Sequence, residues 1–135
     1  MAADRELTNR LMLRARDAMD RDYRSDLDVS ALARISCVSP AHFIRTFKAT
    51  FGETPHRYLQ RRRVERAMYL LRTTTDSITT ICMDVGFSSL GTFSRTFTEI
   101  VGETPSQYRT RGQLADVPSC FVKAWIRPSS FGEAP

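Results

Sequence analysis

Two arginines, Arg45 and Arg95, stand fifty positions apart in the same local frame, Phe-x-Arg-Thr-Phe. A guanidinium carries a permanent charge on a planar fork of donors. That fork fits the oxygens of a phosphate or carboxylate and the O6 and N7 edge of guanine. The chemistry on offer is recognition of an anion or a base, with no bond made or broken. Arginine also supplies nearly all of the basic excess, since Lys48 and Lys123 are the only lysines among 20 basic residues. With 15 acidic residues the formal charge is +5 and the pI near 9.6, a balance that favours a polyanionic partner.

The remaining reactive residue types do not assemble into a site. Cys37, Cys82 and Cys120 are far apart with no CxxC pair, so neither a zinc knuckle nor a disulfide framework is expected, and a reducing compartment fits best. His42 and His56 have no partner set for a metal. No paired carboxylates, nucleophile motif or phosphate-cradling glycine loop occurs, so no catalytic residue, cofactor or metal is expected. No apolar run reaches the roughly 18 residues a membrane span needs. The segment Met1 to Asn9 carries Asp4 and Glu6 where a signal peptide would be basic and then apolar. The expectation is a soluble protein of the bacterial cytoplasm, associated with the nucleoid.

What positions the two arginines is a duplicated unit. The stretch Ser39 to Tyr58 lies over Ser89 to Tyr108 with ten of twenty residues identical: Ser, Phe, Arg, Thr, Phe, Gly, Glu, Thr, Pro and Tyr. Two copies at so long a period imply a repeated supersecondary unit rather than a solenoid, which needs about three repeats. In each copy a helix starts at Ser39 or Ser89 as N-cap. It buries Phe43 and Phe47, or Phe93 and Phe97, along one face and stops at Gly52 or Gly102. The next helix opens with Thr54-Pro55 or Thr104-Pro105, proline being tolerated at the first helical position. Upstream, Asp28 caps a short helix carrying Leu32, Ala33 and Ile35, and Ser77 caps one carrying Ile78, Ile81, Cys82 and Val85. Ser36-Cys37-Val38 and Gly86-Phe87-Ser88 supply the turns, completing the helix-turn-helix pattern twice. A first helix from about Asp4 to Tyr23 places Leu7, Leu11, Ala15, Ala18 and Met19 on one face, and a longer one from Pro55 to about Arg72 joins the units.

These residues give Leu27 through Arg109 a specific resemblance. Ser77-Ile-Thr-Thr-Ile-Cys-Met-Asp-Val-Gly-Phe-Ser-Ser89, Phe93-Ser-Arg-Thr-Phe97 and Gly102-Glu-Thr-Pro-Ser-Gln-Tyr-Arg109, in that order and spacing, resemble the AraC/XylS-type DNA-binding domain. The resemblance implies an all-α fold of about seven helices, with two helix-turn-helix subdomains bridged by a long helix. It also implies sequence-specific binding of double-stranded DNA and transcription regulation, most often activation through contact with RNA polymerase. Since only a few residues precede Asp4, the chain looks like the bare DNA-binding type or an excised fragment. The expected organisation is a first subdomain over 1–53, a linker helix over 54–74, a second subdomain over 75–112 and an extended tail over 113–135.

In such units the second helix enters the major groove. Position along the motif then makes Ala41, His42, Ile44 and Arg45 the base-facing residues of the first unit, and Gly91, Thr92, Ser94 and Arg95 those of the second. Arg45 and Arg95 are candidates for bidentate guanine contacts; phosphate contact alone, or pairing with an acid, stays open for both. Ala41, Ile44 and Gly91 stand where other members often carry larger polar groups, which implies contact with thymine methyls and some shape readout. Phosphate contacts are expected from the helix starts at Ser39, Ser88 and Ser89 and from Lys48, Arg57 and Arg61. The run Arg61-Arg62-Arg63 fans over about 200° of helix, so not all of it can face DNA, and Arg63 is a candidate for an internal ion pair. The phenylalanines and Cys82 are expected in the core.

One monomer would place its recognition helices about one helical turn, or roughly 34 Å, apart on DNA. The tail's Phe121, Val122, Trp125 and Ile126 would pack on the domain or offer a route to a dimer. Two alternatives are a repair-linked regulator with a reactive cysteine, for which Cys120 lacks the usual cues, and a helical module that binds protein alone.

Overall fold

The computed structural model describes residues 2–114, with side chains through residue 112. Those residues form seven helices and no strand: α1 (Ala2–Asp22), α2 (Val29–Ile35), α3 (Pro40–Phe51), α4 (Pro55–Thr73), α5 (Ile78–Asp84), α6 (Leu90–Val101) and α7 (Pro105–Leu114). The expected all-α fold with two helix-turn-helix units is the one observed. The extended piece anticipated toward the C-terminus, including Cys120 and Trp125, lies outside the described residues. The chain divides into two compact units between Leu59 and Gln60, a point inside α4.

In the first unit α1, α2, α3 and the start of α4 close around Met12, Ala15, Ala18, Met19, Leu32, Ala33, Phe43, Phe47, Tyr58 and Leu59. The apolar face of α1 differs from the expected one. Leu7 is 52% exposed, and burial begins at Met12. A helix of 21 residues is about 31 Å long, so its first turns run past the short helices that cover it. For the same reason of reach, Ile35 in the last position of α2 is exposed while Leu32 and Ala33 are buried. Each fully buried Phe or Leu contributes about 1.5–3 kcal/mol, so the Phe43–Phe47 pair anchors α3 by itself. Tyr58 adds a polar tie, its hydroxyl meeting the Asp20 carboxylate at 2.7 Å.

The second unit repeats this packing with Val64, Ala67, Met68, Leu71, Ile81, Cys82, Val85, Phe87, Phe93, Phe97 and Tyr108 buried. The ring geometry repeats with it. Phe43–Phe47 centroids lie 5.6 Å apart and Phe93–Phe97 5.7 Å, while Phe47–Tyr58 and Phe97–Tyr108 lie at 5.7 and 5.8 Å, both edge-on. Edge-to-face contact suits the quadrupole of each ring, which is why the aromatic frame is retained as a set. Burial pushes the Tyr108 hydroxyl above its usual pKa, against the lowering effect of the Arg72 and Arg111 guanidinium groups.

Both turns inside the helix-turn-helix units end their short helix the same way. The Val38 N–H donates to the Ala33 carbonyl and the Cys37 N–H to that of Arg34; in the second unit Phe87 donates to Cys82 and Gly86 to Met83. This pairing closes a helix through one residue in the left-handed region. Gly86 takes that conformation with φ 102°, where glycine has no Cβ to clash. Cys37 takes it with φ 60°, although an L side chain is disfavoured there. One residue more separates α5 from α6 than α2 from α3, so the two copies align at an offset of 49 before the turn and 50 after it.

Candidate nucleic-acid interface

The long helix after each turn is fixed at both ends by local chemistry. Ser39 Oγ accepts the His42 N–H at 3.3 Å and Ser89 Oγ accepts the Thr92 N–H at 3.2 Å. Gly52 and Gly102 close the C-termini in the left-handed conformation at φ 83° and 94°. Cys82 binds the second helix start to the short helix, its thiol donating to the Ser89 carbonyl at 3.5 Å. Burial raises the Cys82 pKa, so the group is a neutral packing thiol, not a nucleophile.

With their phenylalanines inward, α3 and α6 turn the other side to solvent. Ala41, His42, Ile44, Arg45 and Lys48 are all exposed on α3; Gly91 and Arg95 are exposed on α6, with Thr92 and Ser94 half-buried. Two of the second set are already engaged: Ser89 Oγ donates to Thr92 Oγ1 at 2.9 Å, and the Ser94 carbonyl accepts the Thr98 hydroxyl at 2.7 Å. Neither the Arg45 nor the Arg95 guanidinium has an ion pair or hydrogen bond among the described residues. The internal-acid alternative for these two arginines therefore has no support among those residues. Ile44, beside Arg45 on α3, leaves 38% of its surface exposed. Around Gly91 a methyl group would meet nothing within 4 Å, so that part of α6 is open.

The helix starts offer donors for an anion. The first-turn N–H groups of a helix lack an acceptor four residues back, and each serine satisfies one of them. Ser39, Ser88 and Ser89 are all exposed there. Lys48 and Arg57 are also exposed, Arg57 standing in the first turn of α4 where its own N–H meets Thr54 Oγ1 at 3.2 Å.

Arg61 is placed differently from the expectation. Its guanidinium pairs with Glu65 at 3.1 Å, and Arg62 pairs with the other oxygen of the same carboxylate at 3.2 Å. The Glu65 side chain is only 6% exposed, so two cations satisfy a carboxylate that could not stay buried and ionised alone. The Arg63 guanidinium, expected in an internal ion pair, stands 5.9 Å from the Phe87 ring centroid.

Two arginines outside the expected set stand out in the structure. Arg109 caps the end of α4 with three bonds, to the carbonyls of Leu71 at 3.1 Å, Thr74 at 3.2 Å and Asp76 at 2.6 Å. Its counterpart in the first unit is the buried Leu59, so identity across the repeat gives no hint of the role. Arg34 is an exposed cation in the last turn of α2, visible only when the copies are aligned at an offset of 49 before the turn.

Known proteins repeat this arrangement. A family model described as a helix-turn-helix domain matches residues 32–111. The chain is 36% identical over 93 residues to the regulatory protein SoxS of Escherichia coli, covering 69% of this chain and 87% of SoxS. It is 40% identical over 81 residues to an HTH-type transcriptional regulator of Mycobacterium tuberculosis, covering 60% of this chain and 31% of that one. An uncharacterized HTH-type transcriptional regulator of Haemophilus influenzae is 34% identical over 86 residues, covering 64% and 29%. The chain thus spans less than a third of the length of the first curated relatives it matches. Among solved structures, the C-terminal domain of AraT, a response regulator from Geobacillus stearothermophilus, is similar with a TM-score of 0.72 at 28% identity, over 81% of this chain and 88% of that one. An AraC-type regulator from Chromobacterium violaceum gives 0.69 at 28%, over 83% and 96%. The DNA-binding domain of AdpA, solved in complex with a target DNA, gives 0.71 at 26%, over 76% and 94%.

Proposed function

The chain belongs to the AraC/XylS family of helix-turn-helix transcription regulators, and on that premise we propose that it reads a specific duplex site with α3 and α6 in successive major grooves. DNA binding and transcription regulation, rather than catalysis, follow from the family itself. The finer reading rests above all on one observation: each unit presents an exposed arginine, Arg45 or Arg95, at the same position of a serine-capped helix.

Arg45 and Arg95 each contact a guanine through O6 and N7, an interaction that discriminates by about 1–3 kcal/mol. Ala41 and Ile44 meet thymine methyls, His42 and Thr92 approach base edges, and Gly91 and Ser94 allow α6 close to the groove floor. Ser39, Ser88, Ser89, Lys48 and Arg57 hold phosphates and fix the register, as most protein–DNA hydrogen bonds do. Arg61 takes no part, its charge being committed to Glu65. The protein acts in the cytoplasm as a monomer on its site and as an activator that contacts RNA polymerase alongside it, the role the family resemblance favours.

Selection of binding sites from random duplexes followed by footprinting tests this reading. A site with two guanine-centred clusters about one helical turn apart is expected. A footprint confined to a single cluster would overturn the two-helix proposal. Transcription in vitro from a promoter carrying the selected site tests the activator role, which repression or no change would overturn.

A further inference from the structure

The two units present matched positions with unmatched charge. Arg45 and Arg95 are equivalent, but around them the copies diverge. On α3, Lys48 stands where α6 has Thr98; on the closing helices, Arg57 stands where α7 has Gln107; at the end of the short helices, Arg34 stands where α5 has Met83. All three cations are exposed and engage no partner among the described residues. In the other direction, the exposed acids Asp84 and Glu99 of the second unit replace Ile35 and Ala49 of the first. Over these six matched positions the first unit carries four positive charges and no negative one, and the second carries one positive and two negative.

A duplex attracts cations in proportion to the phosphates they neutralise, whereas a guanine contact discriminates without needing many of them. We infer that the two units divide the binding: the first is the electrostatic anchor, holding phosphates through Arg34, Lys48 and Arg57, and the second contributes sequence preference through Arg95 with little phosphate attraction. This deepens the DNA-binding reading and rests on it. The anchor engages any duplex first, and the second unit then sorts sites by fit because Asp84 and Glu99 repel unselected backbone.

The test is the salt dependence of duplex binding by the full chain, read on a selected site and on a random duplex. Each neutralised phosphate contributes about 0.9 to the slope of log affinity against log salt. The variant R34Q/K48Q/R57Q is expected to lower that slope by about 2.7, which is roughly 40-fold in the affinity lost between 50 and 200 mM salt, on both duplexes alike. Arg95→Gln is expected to change the slope by no more than about 0.9 while removing the preference at the guanine it reads in the selected site. Circular dichroism checks that each variant is folded, and the single glutamine variants at about 0.9 apiece replace the triple if it is not. A triple or single set that keeps the wild-type slope overturns the division of labour. Wild-type protein that binds duplex with no salt dependence, or binds none, overturns the DNA-binding reading itself.

Discussion

Cys37 holds a left-handed conformation, φ 60°, at the position where the second copy has Gly86. That conformation costs an L residue about 1–2 kcal/mol, whereas glycine adopts it freely but gives up more unfolded-state entropy, about 0.5–1 kcal/mol. Because Cys37 is exposed, its removal forfeits no packing. The balance predicts that Cys37→Gly stabilises the first unit by about 0.5–1 kcal/mol. For a unit of this size that raises the melting temperature by about 2–8 °C. Cys37→Ala keeps the Cβ and is expected to be neutral, which separates backbone strain from any property of the thiol. Gly86→Ala, placing a Cβ at φ 102°, is expected to destabilise the second unit by at least about 1 kcal/mol. Urea and thermal unfolding followed by circular dichroism read all three variants. If Cys37→Gly destabilises, or Cys37→Ala stabilises as much, strain at this turn is not what distinguishes the copies.

Arg109→Ala removes three charge-assisted bonds from the end of α4 and is expected to cost about 2 kcal/mol in urea unfolding, a value no larger than a few tenths contradicting the capping role. Arg61→Gln is expected to lower stability, by about 0.5–1 kcal/mol for a partly exposed pair, and to leave the salt slope of DNA binding unchanged; a reduced slope would return Arg61 to the phosphate contacts. Burial raises the Tyr108 and Cys82 pKa values above those of the unfolded chain. Their neutral forms are therefore favoured by folding, so the stability they confer is intact below the unfolded values and is lost as pH rises through the raised folded ones. Unfolding free energy is expected to fall above about pH 9, with a shallower fall for Tyr108→Phe; an unchanged slope in that variant would contradict the assignment.

The fold was legible because both copies carry the same punctuation. Serine caps, phenylalanines four apart, closing glycines and Thr-Pro starts are local signals, and local hydrogen bonds satisfy them in place. What periodicity could not convey was reach. It puts Leu7 on the same side as Ala18 and Ile35 beside Leu32, but only the length of the neighbouring helices decides that Leu7 and Ile35 stay exposed. Charge partners were hidden for a related reason. Which of Arg61, Arg62 and Arg63 meets Glu65 depends on rotamers along one helix face, and Arg109 meets carbonyls at and just beyond the end of α4, 33 to 38 residues upstream. The solvent-facing side of α3 and of α6 was readable from the motif because the phenylalanine stripe fixes the opposite side of each helix, and that side is where Arg45 and Arg95 stand exposed.

Base-resolved affinity for a selected duplex, measured with wild-type protein and with Arg45→Ala, Arg95→Ala and the double variant, bears most directly on paired arginine readout. Each single variant should lose preference at one guanine, by about 5- to 150-fold, at a different place in the site, and the double variant at both. Preference that survives in the double variant, or both single variants affecting the same base pair, would contradict it.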